Sequence, residues 1–474
     1  MRILQRAVGL LIIGTALAGA GLMWWAVSGA GGALADAPSR GVVLGVWTVL
    51  YDVEAPSVGT FAAAIGLALF LAAGVAWLEQ RIATAARRST DRVHHPLAPK
   101  IVMAATRGVY AGPVTVTVVV PAHNEESRLG ATLRALLGQS HRPDRVIVVA
   151  DNCTDDTVAI ARSAGVEVAE TVENHRKKAG ALNQVLQRLL PEQGENDLVM
   201  MMDADTELDD GFLESVVRRM SEDRALMAIG GQFYGEPGSG LLGQLQRNEF
   251  TRYAREIRRR RGRVYVLTGT ATVFRPRALR CVAEERGRTI PGVPGDVYDT
   301  AVLTEDNEIT LALKSLGALM MSPGDCRVVT EVMTTWRALW TQRLRWQRGA
   351  LENLGAYGMR PQTFRYWAQQ LGIGYGVIAL TGYLLMMVLL VVSFDNWIWF
   401  PFWVGMGGLF SVERVVGVWR GGWGARLLAA LVLPELCYAL FLNVVFVKGV
   451  VDISAGRSAA WGNGVETHTT LVRA

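Results

Sequence analysis

Three short stretches hold the side chains best suited to chemistry: Asp203-Ala204-Asp205, Thr304-Glu305-Asp306 and Gln342-Arg343-Leu344-Arg345-Trp346. Asp203 and Asp205 follow the apolar run Leu198 to Met202, and residues two apart on an extended strand point to the same side. Carboxylates so placed suit a hard divalent cation, Mg2+ or Mn2+, with positions left open for a diphosphate. Such a cation would neutralise charge building on a departing nucleotide diphosphate. Asp306 is the candidate general base, taking a proton from an attacking hydroxyl, while Glu305 orients it or pairs with a cation. Arg345 offers forked hydrogen bonds to phosphate oxygens, and Trp346 an indole face for the apolar side of a pyranose. Each stretch also has a structural explanation. An acidic pair can be a solvated cap, Thr304 with Asn307 and Glu308 can open a helix, and Gln342 to Trp346 can lie at a lipid surface.

Composition narrows the setting. Half of the 474 residues are hydrophobic, so membrane segments are expected. The net charge of +5 is modest, and the arginines cluster beside apolar runs without interleaved aromatics, which argues for membrane topology and against nucleic-acid binding. Cys153, Cys281, Cys326 and Cys437 are scattered with no CxxC spacing, which fits a reducing compartment without a disulfide framework. No HExxH pairing points to zinc.

The elements that must position these residues follow in order. Residues 7 to 27 form an apolar run behind Arg2 and Arg6; it reads as a span, with cleavage after Ala33-Leu34-Ala35 as the alternative. Ser57 to Leu78 is a second span, followed by Arg81, Arg87, Arg88 and Arg92, which places the middle of the chain in the cytosol. From Val114 to about Thr335 short β-branched runs alternate with helix-like segments. Val114 to Val120, Val146 to Val149 and Leu198 to Met202 end at Pro121, Asp151 and Asp203. That alternation predicts a mostly parallel sheet covered by helices, with ligands bound beyond the carboxyl ends of the strands. Trp336 to Gly355 and Gln362 to Gln370 read as amphipathic helices on the membrane, Gly372 to Phe394 and Trp397 to Val412 as an apolar hairpin joined by Asp395 and Asn396. Leu427 to Val447 reads as a further span, in which Pro434 and Glu435 mark a break or a polar path.

Lys177, Lys178, Gly180 and Asn183 precede or open a helix, where cations and a positive helix end suit phosphate oxygens, or form a solvated basic turn. Asp151 at a strand end accepts from a base or ribose, or caps the helix near Asp155. Arg258 to Arg261 with Arg263 fit a face near anionic headgroups.

With these residues in hand, the chain resembles the membrane-integrated, inverting family 2 glycosyltransferases, the group of cellulose, chitin, hyaluronan and poly-N-acetylglucosamine synthases. The resemblance runs from Val114 to about Gly349 and rests on ordered motifs: Val120-Pro121-Ala122-His123-Asn124-Glu125, Asp151 to Thr157, Lys178-Ala179-Gly180-Ala181-Leu182-Asn183, and the three stretches named first. It implies an α/β GT-A-like fold with a transmembrane helical bundle and interfacial helices. It further implies that Pro121, Ala122, Asn124, Glu125 and Asp151 lie on the uridine, that Asp203 contacts the nucleotide, and that Asp205, with Asp203, binds the metal. Lys178, Gly180 and Asn183 would lie by the donor. Asp306 would be the base, Gln342 and Arg345 would hold the diphosphate, and Trp346, Gly269 and Thr270 would meet the acceptor.

The expected organisation is two spans in 1–80, a linker in 81–112, a cytosolic transferase domain in 113–335, interfacial helices in 336–370, about three spans in 371–450 and a polar tail in 451–474. Arg457 and Trp461 in that tail are a candidate gate over the donor, yet three late spans would place them outside the cell. Either Trp397 to Val412 does not cross, or the tail is no gate. The expected activity is processive transfer from a UDP-sugar to a growing polysaccharide at the plasma membrane, with membrane lipid around it, room for accessory subunits and no nucleic acid. Single transfer to a lipid acceptor, or a nucleotide-binding transporter or scaffold, are the alternatives.

Overall fold

The computed structural model describes residues 39–43, 47–51, 58–107, 113–392 and 401–457. The expected span at 7–27, the Asp395-Asn396 junction and Trp461 lie outside these residues. A two-stranded antiparallel hairpin, β1 (Ser39–Val43) and β2 (Trp47–Tyr51), occupies the loop expected between the first two spans.

Seven strands form the central sheet: β3 (Thr115–Ala122), β4 (Arg145–Ala150), β5 (Glu167–Glu170), β6 (Asp197–Met202), β8 (Leu226–Gly230), β10 (Ala271–Phe274) and β11 (Leu319–Met321), in the order β11-β8-β10-β6-β3-β4-β5. All neighbours run parallel except β10, which is antiparallel to both β6 and β8. Side chains alternate between two cores, as a period of two demands. Val119, Ile147, Val149, Val199 and Met201 face helices Lys177–Leu189 and Pro276–Glu285. Val118, Val120, Val148, Met200 and Met202 face helices Leu129–Leu137 and Phe212–Glu222. Burial on both faces is why these runs are continuously apolar. A small sheet, β7 (Thr206–Leu208), β12 (Arg327–Thr330) and β9 (Gln232–Gly235), sits beside the carboxyl end of β6.

The second expected span is helix Val58–Arg88. By length and composition Ile65–Arg88 and Leu433–Ser454 could each cross a membrane. Gln362 to Gln370 is not a separate interfacial helix: it is the start of the continuous helix Phe364–Val392. Nothing between Gln370 and Gly372 breaks the hydrogen-bond ladder, and the polar first turns are tied to the domain, with Arg365 paired to Glu79 and the Tyr366 hydroxyl donating to the Tyr265 carbonyl.

The apolar stretch around Pro434 is broken as expected. Helix Gly422–Ala430 ends, Val432 takes φ 56°, and helix Leu433–Ser454 starts with Pro434 in its first turn. Glu435, 2% exposed, accepts from Asn248 Nδ2 at 2.8 Å and Arg252 Nη1 at 3.1 Å, both on helix Gly240–Arg259 of the sheet domain. At the other end of the same helix the Arg457 carbonyl accepts from Arg348 on helix Trp336–Tyr357. Tyr438 and Phe441 lie by Trp336 and Trp340, and Gly449 by Leu344 and Gln347. Helix 433–454 thus runs alongside helix 336–357, fastened to helix 240–259 of the sheet domain at one end and to helix 336–357 at the other.

Candidate active site

β3, β4 and β6 are neighbours, so the loops after them meet at one edge. Pro121 lies past the last β3–β6 pair, Val119 with Met201, where a missing N–H interrupts no ladder bond. Ala122 is buried and its carbonyl accepts from the Asp151 amide at 2.8 Å. Asn124, at φ 56°, accepts from the Thr154 amide at 2.8 Å and joins the loops after β3 and β4. Asp151 caps no helix. Its Oδ1 accepts from Asn174 Nδ2 (2.8 Å), Thr171 Oγ1 (2.9 Å) and Asn152 Nδ2 (3.1 Å), which fixes the carboxylate and leaves Oδ2 for a ligand.

The acidic stretches, a hundred residues apart in the chain, converge on one amine. Lys178 Nζ lies 2.5 Å from Asp203 Oδ1 and 2.9 Å from Glu305 Oε1. Gly269 fits between them: a Cβ there would come within 3.1 Å of Lys178 Nζ and 3.4 Å of Asp203 Oδ2. Its amide also points at Asp306 Oδ2, 3.4 Å away, and the Thr270 carbonyl accepts from the Asp203 amide at 3.2 Å.

Burial and neighbouring charge set the protonation of this cluster. Burial, then Glu305, push Asp306 up to about 6 against the pull of Lys178. Burial would raise Glu305 too, but the charge and hydrogen bond of Lys178 hold it below the ordinary carboxylate range. Asp203 rises to about 6 through burial, opposed by Lys178 and assisted by Asp205. Glu125 rises to about 7, first through burial and then through Asp205, Glu331 and Asp203. Four carboxylates crowding one edge, with Arg128 engaged mainly by Glu236 at 2.8 Å, leave negative charge that a divalent cation would relieve. Among the described residues no cluster of three or more ligating side chains is preassembled. Hard oxygen ligands from Asp203 and Asp205, completed by diphosphate oxygens, fit Mg2+ or Mn2+.

Helix 336–357 starts where Thr335 Oγ1 accepts from the Ala338 amide at 3.2 Å. Gln342, Arg345, Trp346 and Gly349 share one face by their spacing of three and four. Gly349 aims that face at the Thr304 stretch, for a Cβ on it would fall 2.4 Å from Thr304 Oγ1. Asn353 Nδ2 staples the two helices, donating to the Thr304 carbonyl (3.1 Å), Thr304 Oγ1 (3.2 Å) and Asn307 Oδ1 (3.1 Å). Glu308 does not cap helix Glu305–Ser315. It binds the buried Arg286, and Tyr357 donates to it. Arg345 lies near enough to Glu305 and Lys177 for its charge to lower both their pKa values, after burial in the case of Lys177. Arg343 instead holds Trp346 in place: its guanidinium lies 4.3 Å from the indole centroid and pairs with Glu249 at 2.9 Å.

Two expected donor residues serve the scaffold. Asn183 is buried, accepting from the Val297 and Tyr298 amides and donating to the Tyr298 carbonyl. Gly180 makes room for Asn174, whose Oδ1 would lie 2.2 Å from a Cβ, so it positions the residue that holds Asp151. The Arg457 side chain pairs with Asp452 at 3.1 Å. Sequence reasoning passed over Glu331, Arg128, Asn174 and Asn353. Only the strand-end position of Glu331 could have singled it out.

Residues 117–283 match the family described as Glycosyl transferase family 2. The poly-beta-1,6-N-acetyl-D-glucosamine synthase of Staphylococcus aureus strain COL is 25% identical over 245 residues, which cover 50% of this chain and 55% of that protein. The synthase of the same name from Staphylococcus epidermidis is 25% identical over 252 residues. The chain thus spans about half the length of the curated relatives it matches. Among solved structures, a mannosyltransferase from Pyrobaculum calidifontis in complex with GDP-Man and Mn2+ aligns at 17% identity and a TM-score of 0.47, over 80% of this chain and all of that one. On the strength of the family match, the chain carries a glycosyl transferase family 2 domain over residues 117–283.

Proposed function

We propose that this chain is a metal-dependent, inverting β-glycosyltransferase. In this reading it moves sugar from a UDP-sugar to the end of a growing polysaccharide at the cytosolic face of a membrane and passes the polymer through its own helices. The observation that carries it is the Lys178 bridge between Asp203 and Glu305, with Gly269 set against Asp306. It brings the side chains read here as metal ligand and base within reach of one another.

Asp151 and Asn124 bind the nucleoside, while Arg345 and Lys177 draw in the diphosphate. Asp203 and Asp205 would hold the divalent cation, which when bound supplies Lewis-acid stabilisation of the leaving diphosphate. Trp346 carries the acceptor sugar. Asp306 takes the proton of the acceptor hydroxyl as its oxygen attacks the anomeric carbon, and the bond to UDP breaks with its electron pair leaving on the diphosphate. A pKa near 6 keeps Asp306 mostly ionised at neutral pH, yet basic enough to accept that proton. The names of the S. aureus and S. epidermidis relatives favour N-acetylglucosamine as the sugar.

The fastening of helix 433–454 to helix 240–259 at one end and to helix 336–357 at the other supports a late membrane pair made by helices 364–392 and 401–417, with residue 457 on the catalytic side. Labelled UDP-N-acetylglucosamine, UDP-glucose, UDP-glucuronate and GDP-mannose, each supplied with Mn2+ to the purified chain, test the assignment. High-mass product is expected from the first, and Asp306→Asn should abolish it while UDP still binds. Wild-type yield from that variant would overturn the base, and a lipid-soluble monoglycoside as sole product would sink processivity.

A further inference from the structure

A cavity of about 470 Å3 lies where the small sheet, helix 240–259 and the turn after helix 401–417 meet. Its wall includes Arg247, Arg258, Arg327 and Arg420 and no acidic residue, and none of the active-site carboxylates lines it. Arg327 has one carboxylate nearby, Asp209 at 3.4 Å. The other three arginines have no acidic side chain within ion-pair distance among the described residues. Arg247 is held by the carbonyls of Glu236 (2.9 Å) and Gly238 (2.8 Å), and Arg258 donates to the Tyr234 hydroxyl at 3.0 Å. Tyr234 also carries the Arg327 guanidinium 4.6 Å above its ring. These contacts fix the guanidinium groups without neutralising them. Four arginines on one wall, with Asp209 the one carboxylate in ion-pair reach among the described residues, match a phosphate.

The surroundings identify which phosphate. Trp419 and Trp423, on either side of Arg420-Gly421, are 55% and 73% exposed. Trp423, Leu427 and Leu431 recur every fourth residue, and the two leucines are 63% and 67% exposed, so an uncovered apolar stripe begins beside the cavity. Arg426 lies 4.2 Å and 5.0 Å from the two indole centroids, an aromatic and cationic pairing suited to headgroup depth.

We propose that this cavity binds the phosphate of an anionic phospholipid, whose acyl chains lie along Trp423, Leu427 and Leu431. The inference depends on the cavity and the apolar stripe, not on the sugar-transfer reading, so either can fail alone. The test reconstitutes the full chain into nanodiscs of equal phosphatidylglycerol and phosphatidylcholine and counts retained lipids by native mass spectrometry. Wild type should retain phosphatidylglycerol preferentially. Arg420→Gln should weaken that preference about fivefold, and Arg420→Gln with Arg258→Gln by about fivefold more. The single variant is at an exposed turn and keeps the test available if the double variant does not fold. Unchanged preference in Arg420→Gln overturns the proposal. Displacement of the lipid by inorganic phosphate at equal concentration identifies a free anion as the occupant and overturns it as well.

Discussion

Replacing Lys178 by glutamine shortens the side chain by one atom and removes the charge that joins Asp203 to Glu305. Wild-type Asp306 titrates near 6 because burial and Glu305 raise it while Lys178 restrains it. An opposite charge close to a carboxylate lowers its pKa by about one to three units, so the variant's base should titrate between about 7 and 9. At pH 7 the ionised fraction then falls from about nine-tenths to between about a half and a hundredth, a loss of about twofold to ninetyfold in kcat/KM. Lys178 is 29% exposed on its side chain, so water screens part of the lost charge and the lower half of that range is the better expectation. UDP release measured from pH 5.5 to 9.5 reads the result directly. The acid limb should move to higher pH and activity should recover toward wild type at the alkaline end. A loss equal at every pH would refute the reasoning, since it would make Lys178 a donor contact and not the charge partner of the base.

Two further outcomes follow from the same geometry. Asn353→Ala removes the three contacts joining helix 336–357 to Thr304 and Asn307, so it should cost about 1–3 kcal/mol and lower kcat with little change in UDP affinity; an unaltered melting temperature would show that the staple is idle. Glu125, Asp203 and Asp306 all titrate above their ordinary values when folded. The native state therefore holds more protons than the unfolded chain between about pH 4 and 7, and metal-free stability should fall as pH rises through that window. Mn2+ should raise the melting temperature more at pH 7.5 than at pH 5, and an equal shift at both would remove these carboxylates from the metal site.

The sheet was legible because burial on both faces leaves no polar positions to blur a strand: Val118, Val119 and Val120 are all fully buried. Asp151 and Asp203 stood out for the same reason, since the apolar strands before them stop there. Position in a motif does not say what a residue packs against, as Asn183 and Gly180 show. Both face inward, one holding the Val297-Tyr298 loop and the other clearing space for Asn174. Lys178 was read as a phosphate ligand because local sequence shows a cation at a helix start and not the two acids, 25 and 127 residues later, that close on it. Asn353 carries no local pattern at all, because its partners Thr304 and Asn307 arrive through tertiary folding.

Helix Leu433–Ser454 sets hydropathy against charge pairing. Leu433–Ser454 is apolar enough to cross a bilayer, and composition alone makes it a third late span. Its polar residues find partners on the sheet domain and within the helix and its end. Glu435 could not leave Asn248 and Arg252 for lipid without stranding a buried carboxylate, a cost of several kcal/mol. At the far end Asp452, 5% exposed, is enclosed by Lys448 and Arg457. Moving the first turn of the helix into lipid would break the Glu435–Arg252 pair, whereas the Asp452 pairs lie within the helix and its end and would travel with it. The hydrogen bond from Arg348 to the Arg457 carbonyl holds residue 457 beside the helix that bears Arg345 and Trp346.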